Sequence, residues 1–501
     1  MRPIKQVILV VAVFMLVGCG GTSAPGTPTT AISKPSFISF GQIAHGATSA
    51  PLAITITNSG SASFTISAAP SVTGANATDF AIVSTTCTLG ANIAPNQSCS
   101  VTMTFTHSTT STETATLNFS VSGLGAQTIA LSGGNTTNSS NILPGQVHLS
   151  LSNNVNALFV TVTICVPGTS NCQMIPNVEV DTGSTGLRIL SSAISLPLQI
   201  ATIGPNQLGN CVQFADMSYA FGPVKLADIQ LAGELASNQP IQVIADSGFA
   251  STPSSCTISG GSPINSTSSL GANGLIGIGL FKQDCGAACA SAAVSAAYYS
   301  CSGNSCSSTA VPTQNQLQNP VSQFSQDNNG LIVSLPSIAS SGAQTVSGSV
   351  TFGINTQVNN ALGTATIYTT DASGNITTVY NSQSHSAFFD SGSNGIFFLS
   401  SASTGMAACN SSAQGFYCPS STTSFTVANI AADSSSHNFS FNIANAINLF
   451  NANPSNAAFN NLGGPFANWF DFGMPVFYGR DMYFGIEGNT VGSRTGPLYA
   501  F

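Results

Sequence analysis

Charge is what this sequence has least of. Only 5% of its 501 residues are charged, eight cations against sixteen acids. So few cations argue against nucleic acid as a partner, because phosphate neutralisation needs Lys and Arg in number. The five histidines are scattered, and none stands at a zinc-like spacing from a cysteine, so neither a metal nor a cofactor is expected. Gly-x-Ser-x-Gly elbows, His-Glu-x-x-His helices and Gly-rich phosphate loops with Lys are all missing, which removes the chemistries they carry. Beyond the N-terminus, no run is long and apolar enough for a transmembrane helix.

Ser, Thr, Asn, Gly and Ala are abundant instead, with many short Val/Ile/Phe alternations and few helical stretches. A hydrophobic content of 43% is ample for packed cores. The composition therefore predicts a mainly β, extracellular protein of two or three units.

The N-terminus predicts export. Arg2 and Lys5 precede an apolar stretch from Val7 to Leu16 that is too short to span a bilayer, and Leu16-Val17-Gly18-Cys19 ends it. This ending resembles the bacterial lipobox, which implies lipidation at Cys19, a signal segment over 1–19 and a membrane attachment through the N-terminal lipid. Loss of Arg2 and Lys5 would take the formal charge from −8 to about −10. Removing Cys19 from thirteen cysteines leaves an even dozen, as disulfides require. Proximity suggests Cys87–Cys99, Cys165–Cys172, Cys211–Cys256, Cys285–Cys289, Cys301–Cys306 and Cys409–Cys418, although spacing alone does not fix connectivity.

Residues 20–34 read as a flexible tether. From 35 to 134, Leu52/Ile54/Ile56, Val101/Met103/Phe105 and Leu117/Phe119/Val121 alternate with polar residues, the pattern of a β-sandwich. Together with Phe40-Gly41, Asp79-Phe80, Cys87 and Cys99, this order resembles the Hydin-like and choice-of-anchor immunoglobulin-like modules, which implies spacing or adhesion. A polar linker follows over 135–141, and 142–501 forms the rest.

That last region uses one phrase twice: Asp181-Thr182-Gly183-Ser184-Thr185-Gly186-Leu187 and Asp390-Ser391-Gly392-Ser393-Asn394-Gly395-Ile396. Each follows a stretch suited to a buried strand, Pro176 to Val180 and Ser386 to Phe389. A lone buried carboxylate is costly, so these acids must be hydrogen-bonded, paired or protonated. Two such turns facing each other would let the carboxyls share one proton and hold a water, one acting as base and the other as acid. Asp246-Ser247-Gly248 lacks the following Ser and second Gly and reads as an ordinary loop.

At these residues the sequence resembles the pepsin-like aspartic peptidases, which implies a bilobal β-rich domain over 142–501 with Asp181 and Asp390 catalytic. Thr182, Gly183, Ser184, Ser391, Gly392 and Ser393 support them by the same resemblance. The Gly274-Leu-Ile-Gly-Ile-Gly279 run and Phe470-Asp-Phe-Gly-Met-Pro resemble the apolar-Gly strands that thread beneath the catalytic loops. Cys211 to Asp228 stands where the flap hairpin belongs. The flap Tyr is missing from its expected place before Gly222, leaving Phe214 and Tyr219 as flap candidates.

Arg188 is a second departure, a cation in an otherwise apolar strand. Pointing inward it needs a carboxylate, with Glu179 or Glu234 as candidates; pointing at the dyad it would favour ionised carboxyls. Most of 142–501 also looks like a secreted bacterial family classed only as a domain of unknown function. The expectation is a lipid-anchored aspartic endopeptidase of the cell envelope acting on peptide or protein. The alternative is an inactive peptidase-like lipoprotein that binds a partner or serves structurally.

Overall fold

A computed structural model describes residues 30–501 except 36, 41–42, 44–45, 50, 59, 110–112, 134–140, 258–259, 411–412 and 432. The expected signal segment, Cys19, most of the tether and nearly all of the 135–141 linker lie outside the described residues.

Alternation builds the N-terminal sheets. In Leu52–Asn58, Ser98–Phe105 and Glu113–Val121 every second side chain is buried, among them Ile54, Ile56, Val101, Met103, Phe105, Leu117, Phe119 and Val121. One sheet runs Ile32–Ser33, Leu52–Asn58, Ser98–Phe105, Phe80–Thr85. The other runs Phe37–Ser39, Gly125–Gly133, Glu113–Val121, Phe64–Thr73, Asn92–Ile93. Both contribute to a single core that includes the Cys87–Cys99 disulfide.

The rest of the chain repeats a strand pattern around each Asp turn. Cys172–Asp181 runs into the first turn and Thr185–Leu190 runs out of it. Gly274–Ile278 lies between these two arms, parallel to the incoming strand with Asp181 opposite Gly277, and antiparallel to the outgoing one with Leu187 opposite Ile276. The second turn is built the same way. Gln383–Phe389 enters, Ile396–Leu399 leaves, and Phe466–Phe472 lies between, parallel to the first with Phe389 opposite Phe472 and antiparallel to the second. Close threading requires glycine: a Cβ on Gly277 would stand 2.5 Å from the Thr185 amide, and one on Gly473 2.2 Å from the Gly395 carbonyl.

Six strands join the sheet of the first turn, Ile142–Val147, Val346–Phe352, Gly330–Leu335, Arg480–Gly485, Leu498–Ala500 and Ile367–Thr369, whereas the strands of the second turn lie in a separate seven-stranded sheet. One apolar core runs through both halves. Around the first turn it is aliphatic, with Val180, Leu187, Ile189 and Ile276; around the second it is aromatic, with Phe389, Phe398, Phe439, Phe470 and Phe472. Stacked and edge-on ring pairs such as Phe389–Phe472 (5.0 Å) and Phe398–Phe425 (4.9 Å) make the second core specific in geometry as well as apolar.

All six neighbouring cysteine pairs are disulfides. They fit an oxidising compartment outside the cytosol. Among the described residues, no helix is long and apolar enough to cross a membrane.

Candidate active site

Each Asp turn holds its own carboxylate with backbone amides. The Gly183 and Ser184 amides donate to Asp181 Oδ1 at 2.8 and 3.1 Å, and the Gly392 amide donates to Asp390 Oδ1 at 2.8 Å. The turns then hold one another. The Gly183 amide also reaches Asp390 Oδ1 at 3.1 Å, across 207 residues of sequence. The Thr182 amide donates to Ser391 Oγ (3.1 Å), the Ser391 amide to Thr182 Oγ1 (2.9 Å), and Ser391 Oγ donates to the Val180 carbonyl (2.6 Å).

This approach leaves no room for side chains on the facing glycines. A Cβ on Gly183 would stand 2.6 Å from Asp390 Cγ, and one on Gly392 2.9 Å from Asp181 Oδ1. The two aspartates are 7% and 5% exposed, while Gly183 is exposed and Gly392 half-buried. Solvent therefore reaches the pair past the glycine lip.

The two carboxyls meet at one donor, the Gly183 amide, which reaches Oδ1 of each. Burial pushes Asp390 well above the ordinary carboxylate range, and the charges of Asp181 and Asp471 push it the same way. Glu179, two residues before Asp181, is half-buried on the same strand. Desolvation first, then the Asp181 charge, raises it to about 8.

The supporting residues divide. Thr182, Gly183, Ser391, Gly392 and Ser393 all bond across or into the pair, Ser393 Oγ lying 3.0 Å from Asp390 Oδ2. Ser184 contributes its amide only; its buried hydroxyl has no hydrogen-bond partner. Asp246 is elsewhere, ion-paired with Lys225 at 2.7 Å.

A model of the family described as "Protein of unknown function (DUF3443)" matches residues 134–501. The chain belongs to that family. Both Asp turns and all six joining strands lie inside the DUF3443 region, and the N-terminal pair of sheets lies before it. No curated protein matches this sequence. A crystal structure of the aspartic proteinase from Irpex lacteus is similar at 15% identity and a TM-score of 0.43, covering 72% of this chain and 96% of that one.

One feature of the DUF3443 region departs from the sequence reading. Arg188 points neither at Glu179 or Glu234 nor at the dyad. Its Nη1 donates to Asn210 Oδ1 (2.6 Å) and Gln242 Oε1 (2.7 Å), and its Nη2 meets Asp284 Oδ2 at 3.3 Å. Asp284 in turn accepts from the Tyr298 hydroxyl at 2.6 Å. The strand register explains this: Arg188 lies opposite Gln242 on the neighbouring strand, and its side chain faces the hairpin residue Asn210.

The flap candidates, Phe214 and Tyr219, stand at the turn of the 211–228 segment. Asn206–Gln213 and Tyr219–Leu231 do form a hairpin, closed at Gln213 opposite Tyr219. Phe214 and Tyr219 are half-buried in side clusters, Phe214 with Leu190 and Ile264, Tyr219 with Phe221 and Phe249. Neither belongs to the hydrogen-bond network of the dyad. The segment around 262–264 runs alongside the tip, taking the Tyr219 amide on the Ser262 carbonyl and giving the Ile264 amide to the Tyr219 carbonyl. The Cys211–Cys256 disulfide fastens the segment before it to the same hairpin.

One residue of the site was not singled out from sequence. Asp471, 2% exposed, lies 2.7 Å from Ser393 Oγ through its Oδ2. Its signal was the one that marked Asp181, an acid in an apolar strand of a charge-poor chain.

Proposed function

We propose that the double-turned region is an aspartic endopeptidase in which Asp181 and Asp390 activate one water. The observation that carries this reading is the meeting of the two carboxyls at the Gly183 amide, on loops that bond each other reciprocally. Raised by burial, Asp390 is the member that keeps the proton. Asp181 takes a proton from the water as its oxygen attacks the peptide carbonyl, and Asp390 gives its proton to the carbonyl oxygen. The tetrahedral product collapses as the leaving nitrogen is protonated, and the pair returns to its singly protonated state.

The substrate on this reading is an extended peptide segment entering past the Gly183–Gly392 lip, beneath the hairpin. The N-terminal sheets act as a spacer and a lipid on Cys19 as the anchor. Acyl chains on Cys19, found by mass spectrometry of the membrane fraction, test the anchor; soluble protein cleaved elsewhere contradicts it.

The activity is tested by cleavage of an unfolded protein at acid pH. Asp181→Asn and Asp390→Asn each keep the shape of the site while removing the acid–base pair, and each abolishes cleavage. Asp246→Asn leaves it intact. Full cleavage by either dyad variant overturns the proposal.

A further inference from the structure

Ser393 stands between two carboxyls with a single hydrogen to give. Its Oγ lies 3.0 Å from Asp390 Oδ2 and 2.7 Å from Asp471 Oδ2. A hydroxyl donates once, so one of these contacts is donated by a carboxylic acid or is a repulsion between buried oxygens. Asp390 is the poorer candidate for that donor, because the proton it carries is held on the side of Asp181, where the Gly183 amide brings the two Oδ1 atoms together, and not on Oδ2. Asp471 accepts no amide, and its Oδ1 is buried without any hydrogen-bond partner.

The surroundings give Asp471 no counter-charge. From the two turns it faces Asp181 and Asp390, and from the C-terminal strand Tyr499, whose hydroxyl is given to the Gly374 carbonyl. Glu179 adds a further acid beside Asp181. The cation Arg480 is bonded to the Val476 carbonyl and lies over the Phe439 ring. An ionised Asp471 would be a buried charge with one hydroxyl donor and no counter-charge, a costly state.

We infer that Asp471 is a third, protonated carboxyl of the site, donating to Ser393 Oγ so that the Ser393 hydroxyl is committed to Asp390. It is a positioning residue, acting on the dyad through Ser393. Its consequence for the reaction rests on the dyad reading above; its protonation does not. Burial raises Asp471 well above the ordinary carboxylate range, in keeping with this.

Infrared difference spectra of the full chain at neutral pH, wild type against Asp471→Asn, read the proton directly. The expected result is loss of one protonated-carboxyl C=O band on substitution. No lost band overturns the inference. If Asp471→Asn does not fold, Ser393→Ala carries the same test, because it removes the acceptor of that proton and must shift the band.

The alkaline limb of the cleavage profile reads the relay. Asparagine is neutral and can still donate to Ser393, so Asp471→Asn keeps the limb where the wild type has it. Asp471→Leu deletes the donor, weakens the hold on Asp390 carboxylate and moves the limb up by roughly half to one pH unit. A downward shift in Asp471→Asn means that a negative charge has been removed, and it overturns the inference, as does an unmoved limb in Asp471→Leu. A wild type that cleaves nothing at any pH sinks the dyad reading, while the infrared result still decides Asp471.

Discussion

Thr182 and Ser391 exchange hydrogen bonds across the middle of the molecule. Each amide donates to the other's hydroxyl, at 3.1 and 2.9 Å, though 209 residues separate them. Because both residues are fully or almost fully buried, the exchange fixes how the two Asp turns meet.

Ser391→Ala is therefore expected to cost stability and to spoil the site together. It strands the buried Thr182 amide and removes the bond to the Val180 carbonyl, at about 1–3 kcal/mol for each buried group left unpaired. Chemical denaturation should register that loss. Cleavage should fall by at least tenfold while Ser391→Thr, which keeps the hydroxyl, restores most of it.

Glu179 sets a pH dependence of stability. Its folded pKa, about 8, lies above its ordinary 4.5, so the native state binds more protons than the unfolded chain between these values. The contribution is fully present below about pH 4.5 and is lost as pH rises through about 8. It amounts to the order of a few kcal/mol. Thermal melts should show Tm falling from mildly acid to mildly alkaline pH, and Glu179→Gln should flatten that fall. An equally steep fall in the variant would contradict this.

The Arg188 cluster is expected to be structural. Arg188→Met leaves Asp284 without its cation, and removing one partner of a buried pair costs about 3–5 kcal/mol. Equilibrium unfolding of the two proteins measures it. Adding Asp284→Asn should recover much of the loss, because the charge left unpaired is then gone.

What could be read from the sequence was what neighbours in the chain decide. The Asp-[Ser/Thr]-Gly-Ser turns bond mainly within four residues, five of the six disulfides join cysteines at most twelve apart, and the strand alternations are local by nature. The threading glycines were legible because the same apolar-Gly pattern occurs twice.

What could not be read is set by register between distant strands. Arg188 and Asp284 are 96 residues apart, and Ser393 and Asp471 are 78 apart. An inward-facing cation requires an acid, but not a particular one. The clasp of 262–264 on the hairpin likewise depends on how a loop returns, which no local pattern records. Tyr219 could be placed on the hairpin from sequence, but not its packing against Phe221 and Phe249.

The most direct test of the central claim is the rate of cleavage of a reduced, unfolded protein measured across pH. With Asp181 and Asp390 sharing one proton, the profile is a bell with an acidic optimum, falling on the alkaline side as the pair loses that proton. Asp390→Asn flattens it to background throughout. Cleavage that rises through neutral pH, or a bell that survives Asp390→Asn, would contradict the account.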